Sequence, residues 1–337
     1  MRYASLGNSG LKVSPICLGA MTFGKQTSPA VAAKMVAAAK DAGVNFIDTA
    51  ESYVMGESER IVGKLIKRDR RDWIVATKLG SKQVGKGPNG KGLSRQWMTE
   101  AIEDSLDRLG TDYVDIYYLH RADPTTPLAE TIDCMGDLIR AGKVRYWGFS
   151  NFRAWKIADM VRIADDLGVP RPVIAQPFYN AVYRVAEFEY LPACQAFGIG
   201  AVPYSPLARG VLTGKFGADV AGAKDTKRGT AEEATYADVY TKEALTIAAK
   251  VKARAEKLGQ EPGHLALNWV LNNKMVPSVV AGPRTLAHWK SYLGALRHTF
   301  TADDEAFFEK LAPTCHPLAI GYHEQKDPPK GRLPRTG

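Results

Sequence analysis

Cysteine is scarce in this chain of 337 residues: Cys17, Cys134, Cys194 and Cys315 are scattered, with no CxxC pair among them. That spacing excludes a disulfide framework or a thiolate metal site as an organising device, and leaves inert thiols in a reducing compartment. Histidine is equally sparse, with six in all. His316 and His323 share a loop-like tail, and no HExxH or Cys/His ligand spacing occurs, so no metal is expected. Long apolar runs are missing too. No stretch approaches the roughly 20 residues of a membrane helix, and the opening MRYASLGNSGLKVSP lacks the apolar core of a signal peptide. The expectation is a soluble, cytoplasmic protein with no membrane partner. Charge of one sign is in excess, with a net +9 gathered partly in KLGSKQVGKGPNGKGLSR and KDPPKGRLPRTG. These basic residues are not interleaved with aromatics and no nucleic-acid motif accompanies them. A small polyanionic cofactor and solvated surface account for the excess, and nucleic acid is not an expected partner.

What is present is a regular alternation. Eight short apolar runs, ICLGAM, NFIDTA, WIVATK, YVDIYYLH, VRYWGFS, VIAQPF, IGAVPY and PSVVAG, have the length and β-branched content of buried strands. Between them lie amphipathic segments of helical period, several ending in Gly just past the last apolar position. Eight β/α units in succession predict a (β/α)8 TIM barrel. A doubly wound dinucleotide fold would carry GxGxxG after its first strand, and this chain does not. The opening RYASLGNSGLKVSP reads as a β-hairpin capping the barrel bottom. A helix over ADDEAFFEKL and a Pro- and Gly-rich tail add extra C-terminal structure. The expected organisation is a single domain over 1–337, with a core of about 16–296 and a C-terminal helix and tail at 301–337.

Active sites of such barrels sit at the C-terminal ends of the strands. The polar residues expected there are Asp48 and, a few residues on, Tyr53; then Lys78, His120, Ser150 with Asn151, Gln176, and Tyr204. Lys and Asp are almost never fully buried unless paired, so their recurrence at successive strand ends points to chemistry rather than packing. Asp48 beside Lys78 would hold the ammonium charged. A cationic Lys78 beside Tyr53 favours the phenolate and lowers the tyrosine pKa from its usual ~10. Tyr53 can then donate a proton to an oxygen that is becoming negative, while the ring N–H of His120 orients it.

The strings NFIDTAESY, IVATKLG, DIYYLH, GFSN, QPFYN and YSPLARGVLTGK strongly resemble the aldo-keto reductase superfamily, nearly end to end. The resemblance implies a tetrad of Asp48, Tyr53, Lys78 and His120 and an NADPH cofactor, with NADH second to it. It implies further that Ser150, Asn151 and Gln176 hold the nicotinamide carboxamide. Tyr204 would stack on the ring, and Ser205, Pro206, Leu207 and Arg209, with Lys215, would wrap the pyrophosphate. Gly282 and Arg284 fit the segment that takes the adenosine 2′-phosphate, and Arg suits a dianion. Where relatives carry Gln and Asn for adenine, this chain has His288 and Tyr292. GLSRQWMTEAIEDSLDRLG and HRADPTTPLAETI look most like the branch of potassium-channel β subunits and their bacterial relatives. Two functions follow: reduction of a small-molecule ketone or aldehyde, or a redox-sensing regulatory subunit that binds NADPH. The channel subunits place Asn where His120 stands, so the complete tetrad favours the reductase. The same branch permits a homo-oligomer.

Gly85 to Lys91 fits GxxxxGK, but Gly92 replaces the Ser or Thr that would ligate Mg²⁺ in a P-loop. The segment is expected as a rim loop, either a mobile lid or a plain solvated loop. Met21, Phe23 and Met55 fall near strand ends and line either an apolar substrate pocket or the core. Met21 is also placed among the cofactor contacts. Arg121 is placed at the rim against polar substrate groups, and Trp147 in the core. Substrate choice is expected to lie in the loop after the third strand and in the Gly217–Tyr240 insertion.

Overall fold

Each apolar run that ends in a polar or Gly-containing turn becomes a short strand, and each segment of 3.6-residue periodicity becomes a helix. The computed structural model describes residues 1–216, 239–312 and 331–336. Two strands, β1 (Ala4–Ser5) and β2 (Lys12–Val13), form the antiparallel hairpin, pairing Ala4 with Val13. Eight parallel strands follow: β3 (Ile16–Gly19), β4 (Phe46–Asp48), β5 (Ile74–Leu79), β6 (Val114–Leu119), β7 (Val144–Ser150), β8 (Ile174–Gln176), β9 (Gly200–Ala201) and β10 (Val279–Ala281). They lie in chain order, with β10 beside β3, in the order β10-β3-β4-β5-β6-β7-β8-β9. This is the sheet of a (β/α)8 barrel, as expected. Every residue of β5 and β6 is buried, which is why these strands read as continuous apolar runs rather than alternating ones. The hairpin is fastened at the N-terminal ends of the strands, where the Asn8 N–H donates to Gly198 O at 2.7 Å, just ahead of β9.

The helices are α1 (Pro29–Asp41), α2 (Glu57–Ile66), α3 (Arg95–Leu109), α4 (Leu128–Arg140), α5 (Ala154–Asp166), α6 (Tyr190–Ala196), α7 (Lys242–Lys257), α8 (Pro262–Leu271), α9 (Leu286–Ala295) and α10 (Ala302–Leu311). Their ends follow local chemistry. Ser28 accepts from the Val31 N–H ahead of α1, with Pro29 at the first helical position, where its missing donor costs nothing. Ser94 caps α3, and Gly110, at φ 63°, closes it in the left-handed region. Thr301 and Asp304 form a reciprocal capping box on α10. The buried stripe of α3, Trp97, Met98, Ala101, Ile102, Ser105, Leu106 and Leu109, has the i, i+4, i+8 spacing of a helix laid on a sheet.

The described contacts divide into two compact units. The first comprises Met1–Pro177, Pro192–Val202 and Pro277–Trp289 and holds the hairpin and all eight barrel strands. The second comprises Phe178–Leu191, Pro203–Val276 and Lys290–Gly337 and holds α7, α8 and α10. Within the second, Trp269 is fully buried and carries the Arg332 guanidinium 3.9 Å over its ring. Cys17, Cys134 and Cys194 are free and buried. Cys315, His316, His323 and residues 217–238 of the insertion lie outside the described residues. No helix among the described residues is long and apolar enough to cross a membrane.

Candidate active site

The strand ends in the first unit bring the sequence-predicted polar residues together. Asp48 closes β4, Lys78 is the penultimate residue of β5, and His120 follows β6 directly. Lys78 is wholly buried. Its ammonium makes a short ion pair with Asp48 Oδ1, donates to Thr49 O at 2.7 Å and reaches the Tyr53 hydroxyl at 3.4 Å. The second carboxylate oxygen of Asp48 accepts from Gln176 Nε2 at 3.0 Å. Asp48 is therefore held on both oxygens, by β5 and by β8. A bare ammonium here would lose its charge to desolvation. Burial does act against the Lys78 charge, but Asp48 and then Tyr53 outweigh it and hold the pKa above the usual lysine value.

Tyr53 stands at the start of a tight turn, with its ring edge-on to His120, the centroids 5.7 Å apart. Lys78 Nζ lies 4.8 Å from the Tyr53 ring centre. The backbone just past the tyrosine runs through three left-handed residues, Val54 (φ 50°), Met55 (φ 53°) and Gly56 (φ 85°). A β-branched residue with positive φ is a genuine outlier, and such strain persists only where the surroundings over-determine it. Here Ser58 Oγ bonds both Thr49 Oγ1 and Ala20 O. Arg108 packs so closely on Gly56 that a Cβ there would lie 2.5 Å from Arg108 Cδ.

Burial depresses the His120 pKa well below the usual imidazole value, helped by the positive charges of Lys78, Arg121 and Lys82. His120 is thus a neutral imidazole near pH 7. Its Nδ1 is buried with no hydrogen-bond partner among the described residues. Around this group, Ser150 Oγ donates to Gln176 O at 2.8 Å, and Asn151 Nδ2 donates to Ser150 Oγ and to His120 O, each at 2.9 Å. Ser150, Asn151 and Gln176 therefore knit β7, β8 and the end of β6.

The remaining candidates fall as follows. Gly282, exposed, and Arg284, half-buried, follow β10, and a Cβ on Gly282 would meet open space. His288 is exposed early in α9. Met21 and Met55 are exposed by 52% and 62%, whereas Phe23 is fully buried and presents no surface to a substrate. Arg121 is exposed at the rim, and Trp147 is in the core, its indole N–H on Pro170 O. The loop after β5 closes on itself, with the Gly85 N–H on Gly90 O and Gln83 Nε2 on the carbonyls of Gly85 and Gly87.

In the second unit, half-buried Tyr204 lies in a tilted aromatic group with Phe178 and Tyr183. After it, Ser205, Ala208, Arg209 and Gly210 all have positive φ, with Pro206 buried, Leu207 half-buried and Lys215 exposed. Among the buried carboxylates of the first unit that the sequence does not point to are Glu51, Glu59 and Asp115. Glu51 is wholly buried, and Glu59 pairs with Arg108 Nε at 2.6 Å and accepts from Thr77 Oγ1 at 2.5 Å. Glu59 shares the buried stripe of α2 with Val62 and Ile66, an i, i+3, i+7 spacing that marks a carboxylate facing inward. No group of three or more potential metal ligands occurs among the described residues.

The model of the aldo/keto reductase family matches residues 15–312. Over 293 residues, 84% of this chain and 87% of the relative, the sequence is 40% identical to an Oryza sativa subsp. japonica protein named "Probable voltage-gated potassium channel subunit beta". An Arabidopsis thaliana protein of the same name is 39% identical over 292 residues, with 84% and 87% covered. A Bacillus subtilis (strain 168) protein named as an uncharacterized oxidoreductase is 35% identical over 306 residues, 88% of this chain and 91% of the relative.

Proposed function

This chain belongs to the aldo/keto reductase family, and on that premise we propose that it is an NADPH-dependent reductase of ketones or aldehydes. The observation that carries the reading is the single ammonium of Lys78, touching both the Asp48 carboxylate and the Tyr53 hydroxyl. Members of the family generally use a nicotinamide cofactor, which when bound supplies the hydride to the carbonyl carbon. The residues of the first unit suit it: open space beside Gly282 and the half-buried guanidinium of Arg284 after β10. We assign Arg284 to the 2′-phosphate, with His288 beside it, Arg209 and Lys215 with Ser205, Pro206 and Leu207 to the pyrophosphate, Tyr204 to the nicotinamide face, and Ser150, Asn151 and Gln176 to its carboxamide.

Tyr53 donates its hydroxyl proton to the carbonyl oxygen as that oxygen becomes negative. The phenolate left behind is stabilised by Lys78, which Asp48 keeps charged inside the protein. His120, neutral because of its burial, supplies a ring N–H to the same oxygen without competing for the proton. Alcohol oxidation uses the same groups, with Tyr53 as the base. Tyr53→Phe should lower turnover by roughly 10²- to 10⁴-fold, the usual contribution of a positioned acid, and leave NADPH binding unchanged. The assay is loss of reduced-nicotinamide absorbance over a panel of aldehydes and ketones, run with NADPH and with NADH. Retention of most activity in Tyr53→Phe sinks the mechanism, and equal rates with NADH sink the role of Arg284.

The names of the plant relatives favour one second reading, an NADPH-binding regulatory subunit. It predicts tight NADPH binding with no turnover on any carbonyl of the panel, and stable co-purification with a partner protein.

A further inference from the structure

We infer that Glu51 is a positioning residue for Tyr53: its carboxyl ties the segment that carries the tyrosine to the strand end that carries Lys78. The inference rests on the reductase reading for its meaning but stands on its own geometry. Glu51 lies between Asp48 and Tyr53 in the chain, and both its backbone and its side chain engage the end of β5. Its N–H donates to Lys78 O at 3.1 Å, and its Oε1 accepts from the Gly80 N–H at 2.8 Å. One residue on, Ser52 Oγ and Ser81 Oγ lie 3.1 Å apart. These bonds fix the separation of Tyr53 from Lys78 on the near side of the left-handed turn at Val54 and Met55, while Arg108 against Gly56 fixes the far side. A strained turn anchored at both ends has one place to put its tyrosine. Released at one end, it relaxes toward ordinary backbone angles and carries the hydroxyl away from the ammonium.

The same carboxyl titrates where enzymes work. Burial is the main cause, and with the charge of Glu59 it lifts the Glu51 pKa to about 7, against the opposing pulls of the Gly80 N–H, Arg108 and the Trp97 indole. Its Oε2 has no hydrogen-bond partner among the described residues. The titratable and charged groups facing it are Glu59 from α2, Arg108 from α3 and Tyr117 from β6. The Tyr117 phenol is raised well above its usual pKa by burial and by these two carboxylates. An ionised carboxylate accepts from an N–H more strongly than a neutral acid does, so the tether tightens as pH rises through neutrality and slackens below it.

Two substitutions in the full chain separate reach from charge. Glu51→Asp keeps the charge but is one methylene too short for the Gly80 N–H. Glu51→Gln keeps the reach and removes the titration. With melting temperature confirming the fold, Glu51→Asp should lower kcat by about tenfold with the KM for NADPH unchanged. It should also raise the Tyr53 titration by about one pKa unit, the same factor. That titration is read from tyrosinate absorbance as the difference between each protein and its Tyr53→Phe counterpart. Glu51→Gln should hold the wild type's low-pH rate across the range and lose the step near pH 7. Wild-type kcat and Tyr53 titration in Glu51→Asp overturn the inference, as does a step that survives in Glu51→Gln. If Glu51→Asp does not fold, the pH profile of Glu51→Gln decides. Failure of the reductase reading is recognised separately: the wild type turns over nothing, while the Tyr53 titration still moves in Glu51→Asp or does not.

Discussion

Each of the two units sets a tyrosine hydroxyl beside a cation, and the two settings differ. In the first unit Tyr53 is half-exposed, and its oxygen lies 3.4 Å from the ammonium of Lys78. In the second, Tyr179 is fully buried, donates to Glu187 Oε1 at 2.7 Å and accepts from Arg332 Nη1 at 3.1 Å. Burial pushes the Tyr179 phenol far up, with Glu187 adding to it, so that proton is locked in place. The cations differ in the same sense. Arg332 is held by Glu305 and the Trp269 carbonyl, and Arg184 spans Glu187 and Glu309. A guanidinium is planar, always charged and bonded through fixed forks, whereas an ammonium is a compact point charge with rotatable donors. The lysine can follow a proton as it leaves a tyrosine; the arginine cluster serves as a strut.

The largest contrast should come from removing each cation. Lys78→Met leaves Asp48 buried and uncompensated, costing about 3–5 kcal/mol, and should abolish turnover as well. Arg332→Met strands Glu305 and should cost about the same stability with normal kcat per folded molecule. Denaturant melts paired with active-site titration check both, and loss of kcat in Arg332→Met would erase the distinction.

A pH effect of similar size belongs to the first unit. Glu51 has its pKa raised by burial from 4.5 to about 7. Between those values the folded chain holds a proton that the unfolded chain has released, so the contribution of Glu51 is full at acid pH and is lost as pH rises. The change is on the order of 3 kcal/mol. His120 acts in the opposite sense. Its pKa is depressed, so below about pH 6.5 the unfolded chain takes up the proton first and stability falls with pH. Glu51→Gln should therefore shift maximum stability upward in pH, as read by calorimetry between pH 5 and 8. An unshifted maximum would contradict it. Smallest is Tyr179→Phe, expected to lose about 1–3 kcal/mol without touching turnover, the reverse of Tyr53→Phe.

The barrel was readable because its strands are apolar runs of fixed length and its helices end on local signals such as Ser94 and Gly110, all of which act within a few residues. Asp48, Lys78 and His120 stood out because a charge at the end of an apolar run has no packing explanation, and the structure brings these three together with Tyr53. Glu51 was hidden in a segment that reads as loop, since its burial depends on Trp97, Glu59 and Arg108 folding over it. The cluster of Arg184, Glu187, Glu305 and Arg332 was invisible for a similar reason. Its members lie up to 148 positions apart (184 to 332), and nothing local pairs them. The second compact unit is likewise assembled from three separated stretches. Phe23 was ambiguous because an apolar residue near a strand end reads the same whether it faces a ligand or the core.

The loop that follows β5 is pinned at two points by carboxylates of its neighbours. Its first N–H, from Gly80, bonds Glu51, and its last, from Leu93, bonds Asp123 Oδ2 at 2.9 Å. Between the pins, nothing crowds the backbone at Gly87, whose φ of 72° keeps that position itself for glycine. The segment is thus a replaceable cassette with standard fittings at either end. Lengthening it around Gly87 to Asn89 costs little, since doubling a flexible loop adds only about 0.6 kcal/mol. Libraries built there would vary this rim while Asp48, Tyr53, Lys78 and His120 stay as they are.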